Sequence, residues 1–155
     1  MSKTDKQKSI PAASIQLLGA QPAEFDLPIT LEKLDGETLE FAIRAKTMRK
    51  SQWAAIRDER QRAILQSVKT PDDEDTATPF IDKALALLDT RGEAAMSKEA
   101  AARDAAAVLH FAVSWPAEQP LNAGTLIDLE DELPGSLETI IAAYNRAIYQ
   151  GRLGN

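Results

Sequence analysis

The chain opens without rhythm and then settles into two alternating runs. Residues 1–24 carry Pro11 and Pro22 and no sustained period, apart from a short apolar piece at Ile15-Gln16-Leu17-Leu18. Residues 1–25 therefore read as a flexible N-terminal arm. From there Leu27, Ile29 and Leu31 alternate with proline or polar positions, and Leu39, Phe41 and Ile43 alternate with Glu40, Ala42 and Arg44. Period two on both sides of Asp35-Gly36 predicts a β-hairpin over residues 27–46. A two-residue loop would set Glu32 opposite Leu39 and Thr30 opposite Phe41, mixing apolar and polar side chains on one face. A three-residue loop, Leu34-Asp35-Gly36, instead pairs Leu31 with Leu39, Ile29 with Phe41 and Lys33 with Glu37, and puts Gly36 where a left-handed backbone is wanted. The longer loop is the expected one. A lone hairpin is marginal, so its apolar face must pack on helices or on a partner's sheet.

The period then changes to that of a helix. Ser51 is placed to cap a helix over residues 51–68, in which Trp53, Ile56, Ile64 and Val68 share a face with Arg57 and Arg60. Pro71 and the run Asp72-Asp73-Glu74-Asp75 end it, and Thr78-Pro79 reads as cap and first position of a second helix with Phe80, Ala84, Leu87 and Leu88 on one side, interrupted at Gly92. Ser97 is placed to cap an alanine-rich helix whose apolar face gathers Ala101, Ala105, Val108, Leu109 and Ala112, with His110 on the far side. Ser114-Trp115-Pro116 ends that helix, because proline disfavours helical geometry in the residue before it. Asn122 caps a short helix to residue 133, and Pro134-Gly135 breaks it. Ser136 caps the last helix, which has the cleanest stripe (Leu137, Ile140, Ile141, Tyr144, Ala147, Ile148) and stops at Gly151. The expected fold is α+β and mostly α-helical, an N-terminal β-hairpin packed on four to five short helices. Residues 26–155 form one domain with its helical part over residues 51–151.

Composition narrows the function by exclusion. No apolar run approaches the roughly 18 residues of a membrane span, and the polar start of the chain is not followed by a signal-type stretch, so a cytoplasmic protein is expected. With no cysteine and one histidine, His110, neither a thiolate nucleophile nor a histidine or cysteine metal cluster can form within the chain. No motif frames a nucleophile near His110, and Gly135, Gly151 and Gly154 are isolated punctuation, not a phosphate-binding loop. The run Asp128-Leu129-Glu130-Asp131-Glu132 lacks the spacing and glycine of a calcium loop and reads as a solvated acidic face. No catalysis and no cofactor are expected.

Charge is unevenly spread. Between Arg44 and Lys69 eight basic residues face only Asp58 and Glu59, a local charge of +6, while the remainder carries −12. The basic segment 44–62 would suit a nucleic-acid-associated regulator, but the whole chain is acidic at −6 and shows no recognised DNA- or RNA-binding motif. Attraction between the two halves, within the fold or an oligomer, is the preferred reading. Contact-type features remain. Trp53 with Arg57 and Arg60 on one helix face, Trp115 before Pro116, and Tyr149 off the last helix's stripe are the candidate partner-binding residues. Packing is the simpler role for both tryptophans, whereas two arginines on an apolar face need partners.

The order of these pieces resembles the phage tail assembly chaperones of tailed phages and prophages. Pro28-Ile29-Thr30-Leu31, the turn glycine Gly36 and the strand Phe41-Ala42-Ile43-Arg44-Ala45-Lys46 come first, then the helix start Ser51-Gln52-Trp53. A helix ending in Val113-Ser114-Trp115 follows, then a leucine-rich short helix, Pro134-Gly135, and a terminal helix with Ala143-Tyr144 and the finish Gly154-Asn155. The resemblance covers residues 27–155, least closely over residues 69–107. It implies a non-enzymatic helper that keeps the tape measure protein soluble, recruits tail tube subunits to it, and is absent from the finished virion. A homo-oligomer, built through the hairpin or the arginine-bearing helix, is expected. A structural tail or head completion protein is the other alternative.

Overall fold

The computed structural model describes residues 21–67 and 92–153. Strands β1 (Glu24–Glu32) and β2 (Thr38–Lys46) pair in the predicted register, with Leu31 opposite Leu39 and Ile29 opposite Phe41. The loop closes as three residues. The Lys33 N–H donates to the Glu37 carbonyl at 2.8 Å, the Gly36 N–H to the Lys33 carbonyl at 3.0 Å, and Lys33 Nζ reaches the Glu37 carboxylate at 3.0 Å. Gly36 sits at φ 87°, a left-handed backbone that a residue with a Cβ adopts only with strain. Strand β1 starts earlier than the hairpin read from the sequence. Glu24 and Phe25 already pair with Lys46 and Ala45, and the Phe25 ring stacks 6.1 Å from Tyr144, an apolar contact that holds this stretch to the sheet.

Helix α1 (Lys50–Ser67) is not capped by Ser51, which lies inside its first turn. The Trp53 N–H bonds the Arg49 carbonyl at 3.1 Å, making Arg49 the cap, and the Gln52 side chain accepts from the Arg49 N–H at 2.9 Å. A glutamine three residues in thus supplies the backward half of a capping box and sets the start two residues early. The expected end of this helix at Pro71, the acidic run and the helix opening at Thr78-Pro79 lie outside the described residues.

Helix α2 (Glu93–Phe111) begins directly after Gly92, so Ser97 sits in its second turn instead of capping it. Glu93-Ala94-Ala95-Met96 are all good helix formers, and Glu93 meets the positive end of the helix dipole, so no serine cap is needed. The helix ends at Phe111, and the chain passes without a loop into β3 (Ala112–Ser114), which pairs with Arg44 and Ala45 of β2 across a bulge. This corrects the placing of Ala112 on the helix face and of the helix end at Ser114-Trp115-Pro116. Three residues are too few to show a strand's period.

Helix α3 (Ala123–Glu132) is capped by Asn122 as expected. Its Oδ1 accepts the Thr125 N–H at 2.9 Å, and its own N–H donates to Thr125 Oγ1 at 3.0 Å. Helix α4 (Ser136–Gln150) is capped by Gly135, not Ser136, whose buried hydroxyl turns back to donate to the Leu133 carbonyl. Glu130 does the capping from the preceding helix. Its two carboxylate oxygens accept the N–H groups of Gly135 and Leu137, each at 2.9 Å, where the N-terminal partial charge of a helix favours an anion.

The architecture is a three-stranded antiparallel sheet, order β1-β2-β3, with helices on one face. Leu27, Ile29, Leu31, Ile43 and Ala45 point into the helical layer, while positions 26, 28, 30, 40 and 42 face solvent. The α4 stripe Leu137, Ile140, Ile141 and Tyr144 is buried, and α4 packs on β1 and α2. This is the expected α+β, mostly helical fold. The sheet's one-sided burial explains the clean alternation in the sequence.

Candidate protein-binding surfaces

Burial sorts the five candidate contact residues. Trp53 is 1% exposed and belongs to an aromatic cluster, edge-on to Phe111 at 5.6 Å and to Tyr144 at 4.9 Å. Its Nε1–H donates to Asn145 Oδ1 at 3.0 Å, tying α1 to α4. Trp53 therefore presents no surface for a partner here, because α1 folds it inward. Phe111 and Tyr144 stack at 3.8 Å, and the Tyr144 hydroxyl donates to the Lys46 carbonyl at 2.7 Å at the end of β2. Burial pushes this hydroxyl's pKa up to about 12, countered only partly by a hydrogen bond from the Met48 backbone. The aromatic cluster is thus a joint between α1, α2, α4 and the sheet.

Arg60 also turns inward. Its guanidinium reaches Asp104 of α2 at 2.7 Å and Glu138 of α4 at 3.1 Å, with its own side chain 23% exposed. Partial burial opposes the charge, and the bonds and charges of Asp104 and then Glu138 outweigh it, leaving the Arg60 pKa above the ordinary arginine value. Its partners come from the same chain, on two other helices, which spacing within α1 cannot reveal. Arg57 is exposed and lies 5.7 Å from the centre of the Tyr149 ring, with Lys50 Nζ 5.4 Å from the same ring. Tyr149 is half-buried between α1 and α4 and not free of the stripe's neighbourhood. The structure therefore brings Arg57 and Tyr149 together, as a cation–π contact worth about 0.5–1 kcal/mol at an exposed site.

The basic segment is divided in the same way. Arg44, on the solvent face of β2, pairs with Asp26 at 3.2 Å and Glu24 at 3.3 Å, and these two bonds raise its pKa. Part of the charge that looked available for nucleic acid is answered by acidic residues of β1, α2 and α4.

Trp115 follows β3 and packs, half-buried, against the edge of the same core. Its Nε1–H donates to the Gln119 carbonyl at 2.8 Å, pinning the loop that follows β3. Beside it opens a cavity of about 510 Å³ between β2, this loop and α3. Leu39, Phe41, Trp115 and Leu129 give it an apolar lining, and Glu40, Asp128 and Glu132 an acidic one. Leu39, assigned to the hairpin's packed face, remains 43% exposed. Sequence reasoning missed this groove because its walls, residues 39–41 and 115–132, lie far apart along the chain. The only local trace was an apolar alternation extending to the hairpin tip, beyond what the helices cover.

Among the described residues no three acidic or histidine side chains gather as a metal site, and no helix is long and apolar enough to cross a membrane. The arrangement leaves two exposed features, an apolar groove with an acidic rim and a cationic patch around Tyr149. Compared with known proteins, residues 12–155 match a family model described as phage tail assembly chaperone. No curated protein and no solved structure matches the chain.

Proposed function

The chain belongs to the phage tail assembly chaperone family, and from that premise we propose that it acts by binding, without catalysis, to keep a tape measure protein soluble and to recruit tail tube subunits to it. The observation that carries this reading is a family match running from residue 12 to residue 155, through every described element. The physical features agree with it. A protein that escorts another chain needs apolar surface held open on a stable body. The groove beside Trp115 supplies such a surface, and the Arg57–Tyr149 patch on the α1/α4 side supplies a second of opposite charge. We assign partner contact to Trp115, Arg57 and Tyr149, with Trp53 and Arg60 holding α1 in place behind them. The protein works in the host cytoplasm, as a homo-oligomer, and leaves before the virion is complete.

The test is recovery of the C-terminally tagged protein from cells producing the phage or induced prophage, with copurifying proteins identified by mass spectrometry and purified particles run alongside. A tape measure or tail tube protein in the eluate, with the bait missing from particles, is the expected result. The bait found in stoichiometric amount in particles would make it a structural completion protein. Nucleic acid alone in the eluate would return the basic segment 44–62 to first place.

A further inference from the structure

We propose that the outer edge of β2, where it borders the groove, accepts an extended segment of a partner protein as an added strand, and that this segment alternates apolar with basic residues.

The argument begins with which backbone groups are left open. In an antiparallel pair, hydrogen-bonded and non-hydrogen-bonded positions alternate. The Lys33 N–H bond to the Glu37 carbonyl fixes that alternation, so residues 39, 41 and 43 point their backbone groups at β1 while Thr38, Glu40 and Ala42 point theirs away. On that side β3 pairs only with Arg44 and Ala45. The chain then leaves the sheet at Trp115-Pro116, where proline has no N–H to continue a ladder. Among the described residues, Thr38, Glu40 and Ala42 therefore have no strand beside them. The open stretch is about 14 Å long, room for four or five extended residues.

The two edges of the sheet are not treated alike. At the outer edge of β1, Pro28 sits opposite Ala42, a position whose backbone faces away from the partner strand. Its missing N–H blunts that edge, a common defence against unwanted pairing. The β2 edge carries no such proline, and the cavity of about 510 Å³ lies directly against it.

Charge selects the occupant. An added strand would set its inward side chains against Leu39, Phe41, Trp115 and Leu129, and would meet Glu40, Asp128 and Glu132 along the rim. Apolar residues at the inward positions answer the first set, basic residues at the alternate outward positions lie beside Glu40, and a long basic side chain at the groove's rim reaches Asp128 and Glu132. A second copy docking edge to edge about a twofold axis would face each of these acids with its own kind, which argues against self-pairing. That the partner is a tail protein rests on the function proposed above; the edge itself does not.

The probe is a fluorescent peptide of about eight residues alternating valine and lysine, titrated into the full chain at physiological salt and followed by anisotropy. A second probe carries N-methyl groups on the amides that would face β2. The parent peptide is expected to bind, to slow amide exchange at Thr38, Glu40 and Ala42, and to lose at least tenfold in affinity on N-methylation. Asp128→Lys combined with Glu132→Lys, or Glu40→Lys alone, is expected to weaken binding at least tenfold with the circular dichroism spectrum unchanged. Equal binding of both probes would reduce the contact to bulk charge and overturn the proposal, as would no binding at all. Tighter binding after Lys3→Glu, Lys6→Glu and Lys8→Glu would assign the edge to the chain's own start. Self-association broken by Glu40→Pro would assign it to a second copy. Either result overturns a partner strand. A failed probe leaves the chaperone reading standing, and a failed copurification leaves the groove standing.

Discussion

Tyr144→Phe isolates one hydroxyl in the joint between the helices and the sheet. The ring stays, and with it the stack on Phe111 at 3.8 Å and the edge contact with Trp53 at 4.9 Å. What goes is the bond to the Lys46 carbonyl at 2.7 Å. Near neutral pH the variant should lose about 1–1.5 kcal/mol, the net worth of one such bond. The alkaline limb gives the sharper test. The hydroxyl ionises near 10 in an unfolded chain and at about 12 in the fold. Its raised folded value means that its stabilising contribution is complete below pH 10 and is lost as pH rises from there through about 12. The full loss is roughly 2–3 kcal/mol. The wild type's advantage over the variant should therefore shrink above pH 10 and vanish near pH ~11, where the loss equals the bond's worth. Urea unfolding followed by tryptophan fluorescence, repeated at rising pH on both proteins, measures this difference with other titrating groups cancelled. An advantage that stays constant from neutral pH to pH ~11.5 would refute the reasoning, since the hydroxyl would then ionise alike in both states.

Three further changes probe the joints described above. Arg60→Met should destabilise by about 1–3 kcal/mol, because Asp104 keeps its charge in a partly buried site; a double-mutant cycle with Asp104→Asn in thermal unfolding should return most of that as coupling. Glu130→Ala should cost about 1 kcal/mol and speed amide exchange at Gly135 and Leu137 well beyond its effect elsewhere. Gly36→Ala should cost about 1 kcal/mol through backbone strain alone, since no atom lies within 4 Å of the added Cβ, and should leave partner binding unchanged in the copurification assay.

The hairpin was the most legible part of the chain, because two local signals agreed. Period two fixed the faces, and only one loop length put both the apolar set and Gly36 where they fit. The α4 stripe and the Asn122 cap were legible for the same reason, each being decided within a few residues. The misplaced helix starts share one cause. Ser51, Ser97 and Ser136 are good capping residues by type, yet each lies one to five residues past the observed cap, because Gln52, a run of strong helix formers and Glu130 respectively had already satisfied the turn before it. Strand β3 is too short to carry a period and exists only because β2 offers it a partner. The candidate site was half legible. The residue types that make contacts were visible, but whether Arg60 turns toward Asp104 or Trp115 toward a groove depends on helices distant in sequence.

The same distance-dependence bears on what the charge split means. Read along the chain, the basic segment looks like an available surface. In the fold, Arg44 is answered by Glu24 and Asp26, Arg60 by Asp104 and Glu138, and Arg57 with Lys50 by the Tyr149 ring. Basic residues thus serve in part as internal fastenings, within the sheet at Arg44 and between three helices at Arg60, Arg57 and Lys50. Three acids on the other side have no such partner among the described residues. Glu40, Asp128 and Glu132 line an apolar groove that no described element fills, next to backbone groups that no described strand takes up. A fold that uses Arg44 and Arg60 for its own cohesion and leaves Glu40, Asp128 and Glu132 beside an open strand edge is set up to attract a basic, apolar segment from another chain. The charge pattern then argues for a protein partner at the acidic end more strongly than for nucleic acid at the basic one.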